Sequence, residues 1–227
     1  MILSTPGFVL HTTPYGESSV VAKVFTRQLG LQSYIIKGVR GPRGRVKQNL
    51  LQPLSCLDMV VYDSPRSELH HVRELSARHP VPPPDPVDNA LRFFMTEVLY
   101  RSLREDEPMP DLWDYVESGE PAERRDVPLR FMLAVARHLG IEPLDNRTPR
   151  EPYFSLEEGR YVGLPDDTTL PAGLSALMHA YLSAELPPVC SAAERASLLD
   201  ALIAYYQLHL SGFHNFHSHE ILHTILR

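Results

Sequence analysis

A proline-rich stretch at residues 79–87, with the sequence HPVPPPDPV, divides the chain into two parts of different hydrophobic periodicity. Its five prolines favour an extended, stiff backbone through which regular secondary structure does not readily continue. We therefore predict a linker at residues 80–87 between a first domain at 1–79 and a second domain at 88–227. A chain of 227 residues is long enough for one large domain or two small ones.

Before the linker, apolar residues recur with a period of two, which is typical of β-strands. In the segment Ser18–Thr26, for example, Val20, Ala22 and Val24 fall on one face. Turn residues separate five such runs, at 8–12, 18–26, 32–37, 54–62 and 68–75. Five short strands favour a small closed barrel, of which the OB-fold is the type that binds oligonucleotides. From strand number alone, an SH3-like barrel is an alternative.

After the linker, the period changes to that of an amphipathic helix. Helices are predicted at residues 88–105, 110–118, 127–139, 170–184, 192–210 and 218–226. A small hairpin is predicted at 153–162, with its turn at Glu158-Gly159. The predicted fold class is therefore α+β and multidomain, with an N-terminal five-stranded OB-fold barrel followed by an α-helical domain.

The charge of the chain is unevenly distributed between these two parts. Residues 1–80 contain ten Lys and Arg against five Asp and Glu, whereas the whole chain has a net charge of -6. No lysine follows Lys47. A basic first part on an acidic remainder indicates a polyanionic partner for the first part alone.

The basic residues are concentrated at 37–47, KGVRGPRGRVK, where five cations accompany three glycines and a proline. We predict a polar, flexible loop between the third and fourth strands that can lie along a phosphate backbone. Tyr15 and Tyr34 are candidates to stack on bases, while Phe25, in mid-strand, is assigned to the core. The alternative is an ordinary solvated loop and ordinary core packing.

A cluster of histidines near the C-terminus provides weak candidates for metal ligands. It contains His214, His217, His219 and His223, and the last two belong to a His-Glu-x-x-His pattern with Glu220 between them. The pair lies close to the end of the chain, without the long motif helix of a metalloprotease. We therefore predict no metal and no cofactor, and keep a metal-dependent hydrolase as an alternative.

The sequence lacks the common signals for catalysis and for membrane insertion. There is no phosphate-binding loop of the Walker type, no GxGxxG and no GxSxG. No run is long and apolar enough to span a bilayer, and residues 1–7 do not resemble a signal peptide. Cys56 and Cys190 are both interpreted as structural, in a reducing compartment. We therefore expect a cytoplasmic protein.

Several short motifs, in order along the chain, resemble the bacterial RecO family of recombination mediators. They are Gly7-Phe8-Val9-Leu10, Tyr15-Gly16-Glu17-Ser18-Ser19, Val24-Phe25-Thr26, Gly30, Lys37-Gly38-Val39-Arg40 and Leu51-Gln52-Pro53-Leu54. In the second part, Gly140-Ile141-Glu142-Pro143 and the segment 153–159 continue the resemblance. The similarity spans nearly the whole chain.

The resemblance implies an OB barrel followed by a helical domain and a function without catalytic turnover. RecO proteins bind single- and double-stranded DNA, anneal complementary strands and act with RecR to load RecA onto strands coated by single-strand-binding protein (SSB). Many carry a four-cysteine zinc module in the helical domain. Residues 141–165 contain no cysteine, so this chain resembles the zinc-free, Bacteroidetes-like branch.

The resemblance also directs the choice of binding residues. The expected DNA contacts are the cations of the barrel: Lys23, Arg27, Lys37, Arg40, Arg43, Arg45 and Lys47. The family contact to the acidic, apolar-ended tail of SSB requires an apolar pocket with a cation, for which the candidates are Arg124, Arg125, Arg130 and Arg137. The alternative to a DNA-binding mediator is a protein-interaction adaptor built on an OB or SH3-like barrel.

Overall fold

The computed structural model describes residues 2–39, 45–63, 67–80, 85–183 and 187–225, and for 45–47 the backbone alone. Five strands form a closed barrel in the order β1-β2-β3-β5-β4. They are β1 (Ile2–Tyr15), β2 (Ser19–Thr26), β3 (Gly30–Ile36), β4 (Cys56–Tyr62) and β5 (His70–Ala77). β3 pairs with β5 in parallel and every other pairing in the barrel is antiparallel. The predicted five-stranded OB-fold barrel is confirmed.

β1 is longer than the run predicted at 8–12 because it serves two neighbours. Its first half pairs with β4, from Ile2 opposite Tyr62 onward, and its second half pairs with β2 as far as Tyr15 opposite Ser19. The strand passes from one partner to the other at Gly7 and Phe8, which pair with both, and its register with β2 shifts after Val9. Gly7 lies at this crossing, and a Cβ there would come within 2.6 Å of Val24 Cγ1. The packed side chains of the barrel therefore leave no room for a larger residue at this position.

The barrel core follows the alternation read from β2. Val20, Ala22 and Val24 are at most 8% exposed and pack with Leu57 and Met59 of β4. A short helix, α1 (Arg45–Leu50), connects β3 to β4 and was not predicted.

Beyond the barrel strands, the chain continues as α2 (Pro86–Ser102) and α3 (Pro110–Ser118). Trp113 of α3 is 1% exposed, its Nε1 donates to the Phe25 carbonyl at 3.2 Å, and its ring centroid lies 5.2 Å from that of Phe8. At Gly30, φ is +72° and a Cβ would come within 2.4 Å of the Glu107 carbonyl oxygen. Residues 105–113 therefore pack directly on the outer surface of the barrel.

The compact unit that contains the barrel comprises residues 1–85 and 95–119, so it is larger than the predicted domain at 1–79. The physical reason is the docking of Trp113 on Phe8 and Phe25, a contact between distant segments that local sequence does not reveal. The linker at 80–87 stays a prediction, and residues 81–84 lie outside the described ranges.

The second compact unit comprises residues 86–94 and 120–227. Its helices after α2 are α4 (Val127–His138), α5 (Ala172–Ser183), α6 (Ala192–His209) and α7 (Ser218–Ile225). A hairpin of β6 (Tyr153–Ser155) and β7 (Arg160–Val162) precedes α5. Phe131, Met132, Leu202 and Tyr206 are fully buried in its core. Ser191 and Glu194 form a capping box that begins α6. A helical domain after the barrel confirms the predicted fold class.

None of the helices in the described ranges combines the length and hydropathy that crossing a bilayer requires.

Candidate nucleic-acid and peptide interfaces

The two described ends of the predicted basic loop at 37–47 have more regular structure than expected. Val39 is 2% exposed, packs in the barrel core and donates its N–H to the Ser18 carbonyl at 2.8 Å. From Arg45 the backbone is helical, so the segment is not an irregular loop at either of its described ends. Val39 packs in the core, but this role was not recognised because glycines and cations surround it in the sequence.

The expected DNA contacts in this segment are only partly placed. Lys37 is exposed at the end of β3. Arg45 and Lys47 belong to α1, of whose side chains nothing is described, and Arg40 and Arg43 lie outside the described residues. All four arginines and lysines after Lys37 remain predicted contacts.

Two further expected DNA contacts, Lys23 and Arg27 of β2, form ion pairs within the barrel unit. Lys23 Nζ pairs with the Glu105 carboxylate. Arg27 binds Asp114 through two hydrogen bonds, from Nε to Oδ1 at 2.6 Å and from Nη2 to Oδ2 at 2.8 Å. The hydrogen bond and charge of Asp114 raise the pKa of Arg27, and those of Arg27 lower the pKa of Asp114. These cations therefore belong to a mixed-charge surface, on which a phosphate must compete with a carboxylate.

The two tyrosines considered for base stacking have different environments. Tyr34 is 0% exposed and its hydroxyl donates to Gln32 Oε1 at 2.7 Å. Its burial raises its pKa. The expectation that Tyr34 offers a stacking face is wrong, because its ring belongs to the barrel core. Tyr15 is 51% exposed at the end of β1. Tyr62, at the end of β4, is 47% exposed and is a second candidate for stacking that sequence reasoning missed.

A groove of about 780 Å³ lies on the barrel surface among β1, β3, β4 and β5. Lys37 and Arg73 line it, but so do Asp58 and Glu74, and Arg73 Nε lies 3.2 Å from Glu74 Oε1. Because both signs of charge are present, the groove is not by itself a cationic track for a nucleic acid backbone.

The helical unit contains a smaller pocket of about 320 Å³ among the start of α4, α6 and α7, which we call the helical pocket. Its lining is mainly apolar, with three cationic or titratable side chains. The lining residues are Arg125, Pro128, Leu129, Ala192, Ala193, Arg195, Ala196, Leu199, Leu222 and His223. An apolar pocket lined by two arginines can bind a peptide that combines apolar and acidic residues.

The two pocket arginines have different anchors. Arg125 Nη2 lies 2.7 Å from Glu123 Oε2. Arg195 Nη1 donates to the Cys190 carbonyl at 2.8 Å and lies 3.6 Å from Cys190 Sγ. Sequence reasoning missed Arg195, because only the packing of α6 against α4 and α7 brings it to the pocket.

Of the four arginines considered for the SSB tail, Arg125 alone lines the helical pocket. Each of the others forms an ion pair elsewhere in the helical unit: Arg124 with Asp88 at 3.0 Å, Arg130 with Glu120 at 3.4 Å and Arg137 with Glu142 at 2.7 Å. Their part in docking stays a prediction.

The C-terminal histidines do not converge as a metal site requires. His214 and His217 are exposed, and the rings of His219 and His223 lie 5.6 Å apart and nearly perpendicular. His223 Nε2 lies 3.3 Å from Asp200 Oδ1. Across the described ranges, these histidines belong to no group of three donors close enough to share one ion. This arrangement gives the hydrolase alternative no support.

Known proteins are similar in sequence both to the barrel and to the helical part of this chain. Residues 1–81 match the family model described as "Recombination protein O N terminal". The DNA repair protein RecO of Porphyromonas gingivalis ATCC 33277 is 30% identical over an alignment of 247 positions, which covers 99% of each chain. RecO of Phocaeicola vulgatus is 27% identical over 94% of each chain, and RecO of Christiangramia forsetii is 25% identical over 99% of each.

These similarities extend beyond the barrel to the helices that follow it. The N-terminal match covers all five barrel strands, which end at Ala77. The Porphyromonas match includes almost the whole of the helical unit as well. The chain therefore belongs to the RecO family of DNA repair proteins.

Proposed function

We propose that this chain is a non-catalytic recombination mediator of DNA repair that acts in the cytoplasm, on the nucleoid. It binds single- and double-stranded DNA, promotes annealing of complementary strands and, with RecR, loads RecA onto SSB-coated single strands. The observation that supports this best is an OB barrel of the RecO family with five cations at residues 37–47, between β3 and β4.

The physical basis of DNA binding is neutralisation of phosphates. Each phosphate that a lysine or arginine neutralises releases condensed counterions, and two strands held on one cationic surface repel each other less. Lys23 and Arg27 contribute less to the affinity for DNA than unpaired cations would, because each first has to exchange a carboxylate for a phosphate. The other proposed contacts are Lys37, Arg40 and Arg43, with Arg45 and Lys47 on α1. Binding of this kind follows the backbone and not the base sequence.

The test is titration of a labelled single-stranded oligonucleotide, followed by fluorescence anisotropy over a series of salt concentrations. The variant Arg43→Glu/Arg45→Glu is compared with Arg147→Glu/Arg150→Glu, which makes the same charge change on exposed helical-unit residues. We expect about tenfold or greater weakening in the first variant, and a salt slope lower by about one for each lost contact. Equal weakening in both variants, or no binding by the unmodified chain at low salt, contradicts the proposal.

The helical pocket is proposed as the docking site for the C-terminal tail of SSB. An acidic tail with an apolar end complements both the apolar lining and the cations Arg125 and Arg195. Arg195 is the stronger candidate for the peptide carboxylates, because the groups that hold it, the carbonyl and the thiol of Cys190, carry no formal negative charge.

This contact is tested with a labelled peptide of the SSB tail and the variants Arg195→Glu and Arg137→Glu. The first reverses a charge in the pocket, while the second reverses one that pairs with Glu142 elsewhere in the same unit. We expect about tenfold or greater loss of affinity in Arg195→Glu and little change in Arg137→Glu. A peptide that binds both variants equally well excludes this pocket. Peptide binding by a chain that does not bind DNA supports the adaptor alternative.

A further inference from the structure

Three side chains of different chemistry meet in the barrel unit, and none of them is among the histidines considered above. Cys56 begins β4, His79 follows the end of β5, and Glu117 lies in the last turn of α3. Their donor atoms, a thiol sulfur, an imidazole nitrogen and a carboxylate oxygen, all lie within 4.8 Å of one another. His79 Nε2 is 3.5 Å from Glu117 Oε1.

The elements that carry these donors are held by the fold. Cys56 pairs with Phe8 of β1, and the Arg78 N–H donates to the Cys56 carbonyl at 3.0 Å, which fixes the backbone next to His79. α3 is anchored by the buried ring of Trp113. A binding site on strands and an anchored helix needs little reorganisation of the backbone.

The donor set selects the kind of ion. A thiolate, an imidazole and a carboxylate together suit Zn²⁺ and related transition metals, whereas Mg²⁺ and Ca²⁺ take oxygen ligands. Donors of a tetrahedral zinc ion lie about 3.5 Å apart, given metal–ligand distances of about 2.0 to 2.3 Å. The His79 side chain is 59% exposed, so its ring can reorient to shorten the remaining distances.

The surrounding charges also fit a divalent cation. Arg78 Nε lies 2.5 Å from Glu117 Oε1, and Arg78 Nη1 lies 2.9 Å from Asp58 Oδ1. With one divalent ion and an ionised Cys56, the charges of Cys56, Asp58, Arg78 and Glu117 sum to zero with the ion. Glu117 has two carboxylate oxygens, so Arg78 and a metal can share it.

We propose that Cys56, His79 and Glu117 bind one transition-metal ion of the Zn²⁺ class, with water as the fourth ligand. The thiol loses its proton to solvent as the sulfur–metal bond forms. The bound ion joins α3 to the adjacent ends of β4 and β5. It is separate from any four-cysteine module of the helical domain.

Co²⁺ is the probe, because a cysteine thiolate bound to cobalt gives a charge-transfer absorption band that zinc does not. The full chain is titrated with Co²⁺ alone and then with Zn²⁺ in competition. We expect one Co²⁺ per chain with a thiolate band that Zn²⁺ abolishes, and a higher melting temperature in the presence of Zn²⁺. Absence of the thiolate band in the folded, unmodified chain overturns the proposal.

Variants assign the band to these residues. Cys56→Ser removes it, and His79→Gln or Glu117→Gln weakens Co²⁺ binding by about tenfold or more, at least the loss found for supporting residues of metal sites. His79 is exposed, so its variant remains informative even if Cys56→Ser fails to fold. The controls are Cys190→Ser and His219→Gln/His223→Gln, which should retain the band. A band lost in Cys190→Ser, or unchanged in His79→Gln and Glu117→Gln, overturns the proposal.

Discussion

Two arginines of the barrel unit and one of the helical unit are held by different chemical groups, and the difference affects how each can bind a ligand. In the barrel unit, Arg27 and Arg78 bind the carboxylates Asp114 and Glu117 of α3. In the helical unit, Arg195 is anchored by the carbonyl of Cys190 and lines an apolar pocket. An arginine held by a carboxylate has to exchange one anion for another when a ligand binds. An arginine held by a carbonyl has a neutral partner, so its positive charge is not balanced there and can attract an acidic ligand. Cation content alone therefore does not locate a binding surface.

The test with the largest expected effect removes Trp113, the side chain that anchors α3 on the barrel. Trp113→Ala deletes a buried ring and its hydrogen bond to Phe25, and we expect a loss of about 3 to 5 kcal/mol in the free energy of unfolding. The ion pairs of Asp114 and Glu117 should weaken with it, because both residues are on α3. Urea denaturation followed by circular dichroism measures the loss. An exposed aromatic change, Tyr15→Phe, is the control, and equal stability of Trp113→Ala and the control contradicts the described packing.

A second test acts on the buried carboxylate beside the helical pocket. The Tyr181 hydroxyl donates to Asp126 Oδ1 at 2.7 Å, and Asp126 is 4% exposed. Tyr181→Phe leaves this buried carboxylate with one donor fewer and should cost about 1 to 3 kcal/mol. Arg125, whose Nε lies 3.6 Å from Asp126 Oδ2, should then be drawn toward it, which lowers affinity for the SSB tail peptide. Chemical denaturation and peptide anisotropy measure the two effects. Unchanged stability shows that the hydroxyl is replaced by water.

A third test removes the competitor for a predicted DNA contact. Asp114→Asn deletes the carboxylate that holds Arg27 and should tighten binding of single-stranded DNA by about two- to fivefold at low salt, the range of an exposed ion pair. Asp167→Asn makes the same charge change at an exposed position of the helical unit. Equal tightening in both variants attributes the effect to net charge and removes Arg27 from the interface.

The smallest expected effect is the dependence of stability on pH. Arg27 lowers the pKa of Asp114 from its ordinary value of 3.8, so this pair contributes stability above that value and loses it as pH falls through the lower, folded-state pKa. The melting temperatures of the unmodified chain and Asp114→Asn should therefore converge in acid. Thermal unfolding between about pH 5 and pH 1 measures this convergence. A difference that grows on acidification contradicts the assigned pair.

Local sequence was sufficient for the elements whose boundaries have local causes. The bounds of α3 were predicted as observed, because Pro110 suits the first turn of a helix and Gly119 its end. Tyr34 shows where such reasoning fails. Every residue of β3 is buried, so an outward position and an inward one cannot be distinguished from the strand itself. Gln32 of β3, for example, is covered by Asp106, 74 residues later in the chain. The helical pocket was missed for the same reason, because its lining residues come from segments that are distant from one another in the sequence.

The place of residues 95–119 in the barrel unit also has a consequence for the order of events during synthesis. Strand β1 completes its pairing with β4 only after Tyr62 is made, and Phe8 gains its contact with the Trp113 ring, and the Phe25 carbonyl its hydrogen bond, only when Trp113 follows. A nascent chain that ends at residue 79 contains every barrel strand but lacks the tryptophan that contacts both phenylalanines. Exposed apolar side chains of this kind promote aggregation of unfinished chains. The shortest fragment suitable for expressing this unit therefore extends to Gly119.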